Sequence, residues 1–255
     1  MFRRRAATTP VTFSVAFRLG FMRATCFRSF LLFCSSLLLA AVSAQAGSPS
    51  SPPSSKVQLD APAALEVVNG KTEATTYRGR HAVHLLPLPG HETGDGSMLA
   101  ILKGTDFKDG AIEVDVAGAP RPGADPGMKG FIGIAFRVQP QGSPFELIYL
   151  RPSNGRAPEQ LTRNHSVQYV SDPDFTWERL RKETPGKYES YVDLEPGAWT
   201  RIRIEVSGTT ARLYVNGASQ PCLIVNDLKR GESHGPIALW AHETTEAYFS
   251  DLTIH

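Results

Sequence analysis

From about residue 64 onward the chain is a succession of short apolar or alternating runs, each closed by Gly, Pro, Asn or Asp. They begin with ALEVV (64–68), HAVHLL (81–86), SMLAIL (97–102) and AIEVDV (111–116). FIGIAFRV (131–138), FELIYL (145–150) and SVQYV (166–170) continue the series. YESYV (188–192), TRIRIEV (200–206), ARLYV (211–215), CLIV (222–225), PIALWA (236–241) and AYFSDLTI (247–254) complete it. Short strands at even spacing, with turn residues between them, predict an all-β protein of two packed antiparallel sheets. Helical periodicity is confined to a turn or two near Thr176–Lys182, and no repeat is visible.

Side chains on a strand alternate between faces, so register is legible where the alternation is clean. In 200–206, Ile202, Ile204 and Val206 point to a core while Arg201, Arg203 and Glu205 point to water. Ala211, Leu213 and Val215 resume the buried face after a turn at Ser207-Gly208-Thr209. Asn216-Gly217 then marks a tight turn, because both residues tolerate positive φ.

The first 46 residues are of another kind. They carry six arginines and no acidic residue, then an apolar run from Phe30 to Val42, then Ala44-Gln45-Ala46. A basic start, a short apolar stretch and a small-x-small exit predict a secretory signal, and the run is too short to span a membrane. Met22 opens a more compact version of the same leader. Cys34 lacks the small residue before it that lipidation would need. A Ser/Pro tract within 47–55 reads as a linker, and 56–255 as one domain. The expected location is the periplasm or the exterior.

Removing the leader's six arginines from the 27 basic residues leaves 21 against 25 acidic ones, a net charge of −4. Such a domain has no electrostatic footprint for nucleic acid or anionic membrane. Cys26 and Cys34 leave with the leader, so Cys222 remains alone, and neither a disulfide framework nor a Cys/His metal cluster is expected. Asp172 and Asp174 are loop acids of the sort that hold calcium, but no dense ligand spacing surrounds them. No cofactor is expected.

The hairpin WTRIRIEVSGTTARLYVNG resembles that of laminin-G-like and concanavalin A-like jelly-roll sandwiches, where a Trp-led strand precedes one ending in V-N-G. GPIALWAH (235–242) followed by AYFSDLTI is similar to the closing strands of the 3-keto-disaccharide hydrolase domain, a family of that fold. The family pattern there is roughly G-x-I-x-L-Q-x-H, then a strand ending F-R-N-I. Trp240 stands at the Gln, while His242 and Phe249 match the His and Phe. FRV (136–138) and FELI (145–148) resemble that family's paired strands with an Arg and a Glu, matching Arg137 and Glu146. Ile148 stands where the family tends to have a polar residue. The resemblance implies a sugar ligand and, in its enzymatic version, Glu146 or His242 as general acid/base on a modified glycoside.

Glycoside hydrolysis ordinarily uses two carboxylates. Glu113 and Asp115 share a strand face, an echo of the E-x-D-x-x-E strand of laminarinase-type glucanases, but Gly118 stands near the place of the third acid. The expected groove instead gathers Arg137, Glu146, Tyr149, Arg151, Asn164, Gln168, Tyr169, Trp177, Trp240 and His242. An outward tryptophan beside amides, Arg and His suits a pyranose, with the ring against its apolar face and polar groups on its hydroxyls. If Phe145, Leu147 and Tyr149 are core, Glu146 faces this groove; the opposite register would bury a charge, which is costly unpaired. The long connection from Ser171 to Ser190 is expected to form an ordered rim. A carbohydrate-binding or glycoside-acting protein is the first reading. A non-catalytic adhesive or structural cell-envelope module is the alternative.

Overall fold

The computed structural model describes residues 55–59, 64–94 and 96–255; the leader and most of the linker lie outside them. The strands are β1 (Ser55–Lys56), β2 (Leu65–Val68), β3 (Gly70–Tyr77), β4 (Arg80–Pro87) and β5 (Ser97–Leu102). Next come β6 (Gly110–Pro120), β7 (Ile132–Phe136), β8 (Phe145–Leu150), β9 (Val167–Asp172) and β10 (Glu189–Ser190). The last are β11 (Thr200–Ser207), β12 (Thr210–Val215), β13 (Leu223–Val225), β14 (Ala238–His242) and β15 (Thr245–Ile254). Two short helices, α1 (Gln160–Arg163) and α2 (Trp177–Glu183), lie in the connections flanking β9.

One sheet runs β13-β12-β11-β6-β15-β4-β3, with β1 added beside β15; the other runs β10-β9-β8-β7-β14-β5-β2. Every strand pair is antiparallel. The expected two-sheet sandwich is therefore the observed fold. In the eight-stranded sheet the core face carries Ile112, Val114 and Val116 of β6 beside Ile202, Ile204 and Val206 of β11. Ile132, Ile134 and Phe136 of β7 and Leu239 of β14 are buried in the facing sheet. Burial of these branched side chains from both sheets is the main favourable term in the fold. Asn216 and Gly217 both have positive φ, at 51° and 74°, as their turn requires.

β3 has no counterpart among the expected strands. It is an edge strand, Thr-rich and largely exposed, so it lacks the apolar alternation by which a half-buried strand is read. The expected run 188–192 shrinks to the two residues of β10.

Arg137 was expected on the groove floor, and the structure overturns that. It follows β7 with φ of 55°, a conformation that carries its side chain off the alternating pattern. The residue is 1% exposed. Its Nη1 donates to Gly231 O at 2.7 Å, and Nη2 donates to Lys108 O at 2.7 Å and Gly208 O at 2.8 Å. One guanidinium thus gathers three turns. Planar, forked donors suit this task, and a lysine could not reproduce them. Arg137→Ala leaves three carbonyls without their donor and is expected to cost about 3 kcal/mol or more. Chemical denaturation should show that loss, with Arg137→Lys recovering only part of it.

Candidate functional site

The site lies on the face of the seven-stranded sheet turned away from the core. One rung of that face reads Leu99, Trp240, Gly133, Tyr149, Gln168, Glu189 across six strands. Gly133 is the small member between two large rings. A Cβ there would stand 2.6 Å from Tyr149 Cα and 2.7 Å from Tyr149 Cβ, so the close approach requires glycine. The Trp240 and Tyr149 rings lean together over it, with centroids 5.1 Å apart and planes at 42°. Phe145, Leu147 and Tyr149 of β8 continue the floor of a pocket of about 710 Å³.

Its wall comes from the 171–190 connection, as expected for a rim. Thr176 caps α2 by accepting from Arg179 N, and Leu180 anchors the helix inward. Trp177 is left at the pocket edge, 39% exposed.

Arg151 follows β8 and is buried at one end of the pocket. Its guanidinium lies 5.1 Å from the Tyr149 ring centroid, 5.7 Å from that of Trp177 and 6.0 Å from that of Phe131. Nη2 donates to Tyr149 Oη at 2.7 Å, and Nη1 to Glu189 Oε1 at 3.2 Å. Arg181 reaches the same carboxylate from α2 through Nε and Nη2. His165 Nε2 stands 3.5 Å from Glu189 Oε2. Burial works against ionisation of Glu189, but hydrogen bonds and charge from Arg181, with His165 and Arg151, outweigh it and hold the carboxyl below its usual range. Burial lowers the His165 imidazole; Glu189 opposes this, and Arg181 and Arg151 reinforce it. Burial also pushes the Tyr149 hydroxyl up.

His242, at the end of β14, lines the same pocket with its ring 5.4 Å from Phe131. The Thr244 N–H donates to Nδ1 at 3.3 Å, and Thr244 Oγ1 lies 2.8 Å from it. An Nδ1 that accepts from a backbone N–H assigns the proton of the neutral ring to Nε2.

The family model of the 3-keto-alpha-glucoside-1,2-lyase-like domain matches residues 64–255. The chain belongs to that family. No curated protein sequence matches it significantly. Among solved structures it is similar to the carbohydrate-binding module CBM66 from Bacillus subtilis, with TM-score 0.51 and 14% identity over 75% of this chain and 96% of that one. The VIP36 exoplasmic/lumenal domain in its Ca2+/Man3GlcNAc-bound form gives TM-score 0.49 and 12% identity, over 75% and 83%. At such identities the CBM66 likeness shows a shared concanavalin A-like sandwich fold.

In this 3-keto-alpha-glucoside-1,2-lyase-like domain the pocket brings together Tyr149, Arg151, Trp177, Trp240 and His242. The other expected residues lie elsewhere. Glu146 points inward and is 0% exposed, the register opposite to the expected one. Its charge is not unpaired: it accepts from Tyr169 Oη and from Arg230 N, each at 2.7 Å. Tyr169 is likewise an inner residue, its hydroxyl pushed up by burial and by Glu146. Gln168 is on the pocket side but fully buried, donating to the carbonyls of Tyr169 and Tyr188. Asn164 is exposed next to α1 and accepts from Gln160. Asp174, weighed for calcium, is ion-paired with Arg230 at 2.9 Å, and Asp172 accepts from Ser143 at 2.8 Å. Among the described residues no group of three or more His, Cys, Asp or Glu is placed to hold a metal ion.

Sequence reasoning missed His165, Arg181 and Glu189. Arg181 and Glu189 lay within the connection expected to form the rim, but no local motif pairs them. His165 precedes β9 in a polar stretch, with no spacing that ties it to Glu189.

Both Glu189 and His165 have folded-state pKa values below their unfolded ones, so the folded state binds fewer protons. Their contribution is complete above the unfolded values, about 6.5 for His and about 4.3 for Glu, and is lost as pH falls through the folded ones. Thermal denaturation should show Tm falling from pH 7 toward pH 4. Glu189→Gln should lower Tm at neutral pH, where two guanidiniums lose their counter-charge, and flatten the slope below about pH 4.3.

Proposed function

We propose that the outer-face pocket binds a glycoside, and that its substrate is a 3-keto-glycoside of the kind for which the family is named. The observation that carries this reading is the aromatic floor of Trp240 and Tyr149 beside a polar end formed by Arg151, Arg181, His165 and His242. Rings serve the apolar face of a pyranose, and forked donors serve its hydroxyls. A pocket of about 710 Å³ accommodates a ligand of disaccharide size.

A ketone at C3 acidifies the C2 hydrogen. Removing that proton and releasing the C1 substituent cleaves the glycosidic link by elimination. Such a route needs proton transfer at two places and not the carboxylate pair of ordinary hydrolysis. His242 in its imidazolium form, with Nδ1 donating to Thr244 Oγ1, is suited to protonate the departing oxygen from Nε2 and to be left neutral. His165, held neutral by burial and the neighbouring guanidiniums, is the second imidazole of the pocket. Export rests on the leader sequence and would place this chemistry outside the cytoplasm.

The test is mass spectrometry of glycosides and matching 3-keto-glycosides incubated with the purified protein, with affinity measured in parallel. Cleavage of the 3-keto forms, abolished in His242→Ala with binding retained, is the expected result. Binding without cleavage would leave a binding module, and absence of both would overturn the reading. Trp177→Ala is expected to weaken binding about tenfold with only a small fall in Tm, since the ring is 39% exposed and its stacking is worth about 1 kcal/mol or more. Trp240→Ala is the poorer probe, because that ring is packed into the floor.

A further inference from the structure

The polar end of the pocket holds more positive than negative charge. Arg151 and Arg181 share one carboxylate, that of Glu189, and His165 beside it is held in its neutral form. Lys129 lines the same end, its carbonyl accepting from Ser153 N just beyond Arg151. The acids that line the pocket itself are Asp172 and Glu178. Asp172 pairs in register with Phe145, six residues along the strand from Arg151 and so roughly 20 Å away. Glu178 is exposed on α2. Asp172 thus stands at the Phe145 end, away from the two guanidiniums.

Of the two guanidiniums, Arg181 is the accessible one. Its side chain is 33% exposed, against 5% for Arg151. Nε and Nη2 are spent on Glu189, while Nη1 has no hydrogen-bond partner among the described residues. The guanidinium is also held against the Trp177 ring, 4.6 Å from its centroid, so its direction is fixed before a ligand arrives. A partly desolvated cation with spare donors favours an anion over a neutral hydroxyl.

We infer that the preferred sugar carries a negative charge, a carboxylate or an ester of sulfate or phosphate, seated against Arg181 at the basic end; this rests on reading the pocket as a glycoside site. The anion restores the balance that one Glu189 leaves incomplete between two guanidiniums.

Calorimetric titration of the full protein with a neutral glucoside, the matching glucuronide and the matching 6-sulfate tests this. The expected result is at least about tenfold tighter binding of one or both anionic forms, the worth of one charge-assisted hydrogen bond. That advantage should shrink as ionic strength rises and vanish in Arg181→Gln. The tighter of the two anions identifies the group. If Arg181→Gln fails to fold, Lys129→Gln removes charge from the same end without touching Glu189 and should reduce the advantage severalfold. Equal affinity for neutral and anionic sugars would overturn the inference and leave the glycoside site standing. Binding of none of the three would overturn both.

Discussion

Tyr149 occupies the space where a side chain at position 133 would go. That exclusion organises the outer face of the seven-stranded sheet. With glycine on the middle strand, β8 and β14 deliver Tyr149 and Trp240 side by side, and the rings tilt together at 5.1 Å. Tyr149 in turn accepts from Arg151, Arg151 holds Glu189, and Glu189 holds Arg181 on the rim helix. The pocket floor and its wall are therefore linked by an unbroken series of contacts, each fixing the orientation of the next. A ligand meets groups already held in place, and little ordering cost remains.

How far the sequence could be read depended on which sheet a strand belongs to. In the eight-stranded sheet one face meets water, so β11 alternates Ile202, Ile204 and Val206 with Arg201, Arg203 and Glu205, and the register is plain. In the seven-stranded sheet both faces are covered, one by the core and the other by the pocket wall. All six residues of β8 are buried. Alternation then carries no information about which side is inside. An outward Glu146 follows only on the premise that an inner carboxylate is unpaired. The premise failed because the partners, Tyr169 and Arg230 N–H, come from β9 and from a loop more than 80 residues away. No local pattern announces such a pairing. On β14, Leu239 and Ala241 are core, and alternation carries Trp240 and His242 to the pocket face.

Arg137 and Glu146 resemble the family's strand-borne Arg and Glu, yet here both serve the loop around Lys229–Gly231. Arg137 donates to Gly231 O, and Arg230 N donates to Glu146. Phe136, next to Arg137, is the register partner of Glu146, so the two charges act from neighbouring strands at one end of the sheet. The Arg151–Glu189 pair sits on the other side of that sheet and toward its other end. Matching residue types in a strand motif thus located an ionic cluster but not the pocket, since side-chain direction at a strand end follows backbone conformation and not sequence spacing alone.

The two clusters divide the work of buried charge. A buried ion pair is poor evidence of net stability, because desolvation offsets much of its attraction. At Arg137 the offset is met by several backbone carbonyls that accept from one guanidinium, and nothing of the side chain is left for a ligand. At Arg181 the arrangement is incomplete, with one terminal nitrogen unspent and a third of the side chain open to the pocket. A fold gains nothing from leaving donors half used in a partly dry site. Their presence beside an aromatic floor is better accounted for by recognition than by packing, and it is this asymmetry between two otherwise similar clusters that separates the part of the sheet that holds the fold from the part that meets the ligand.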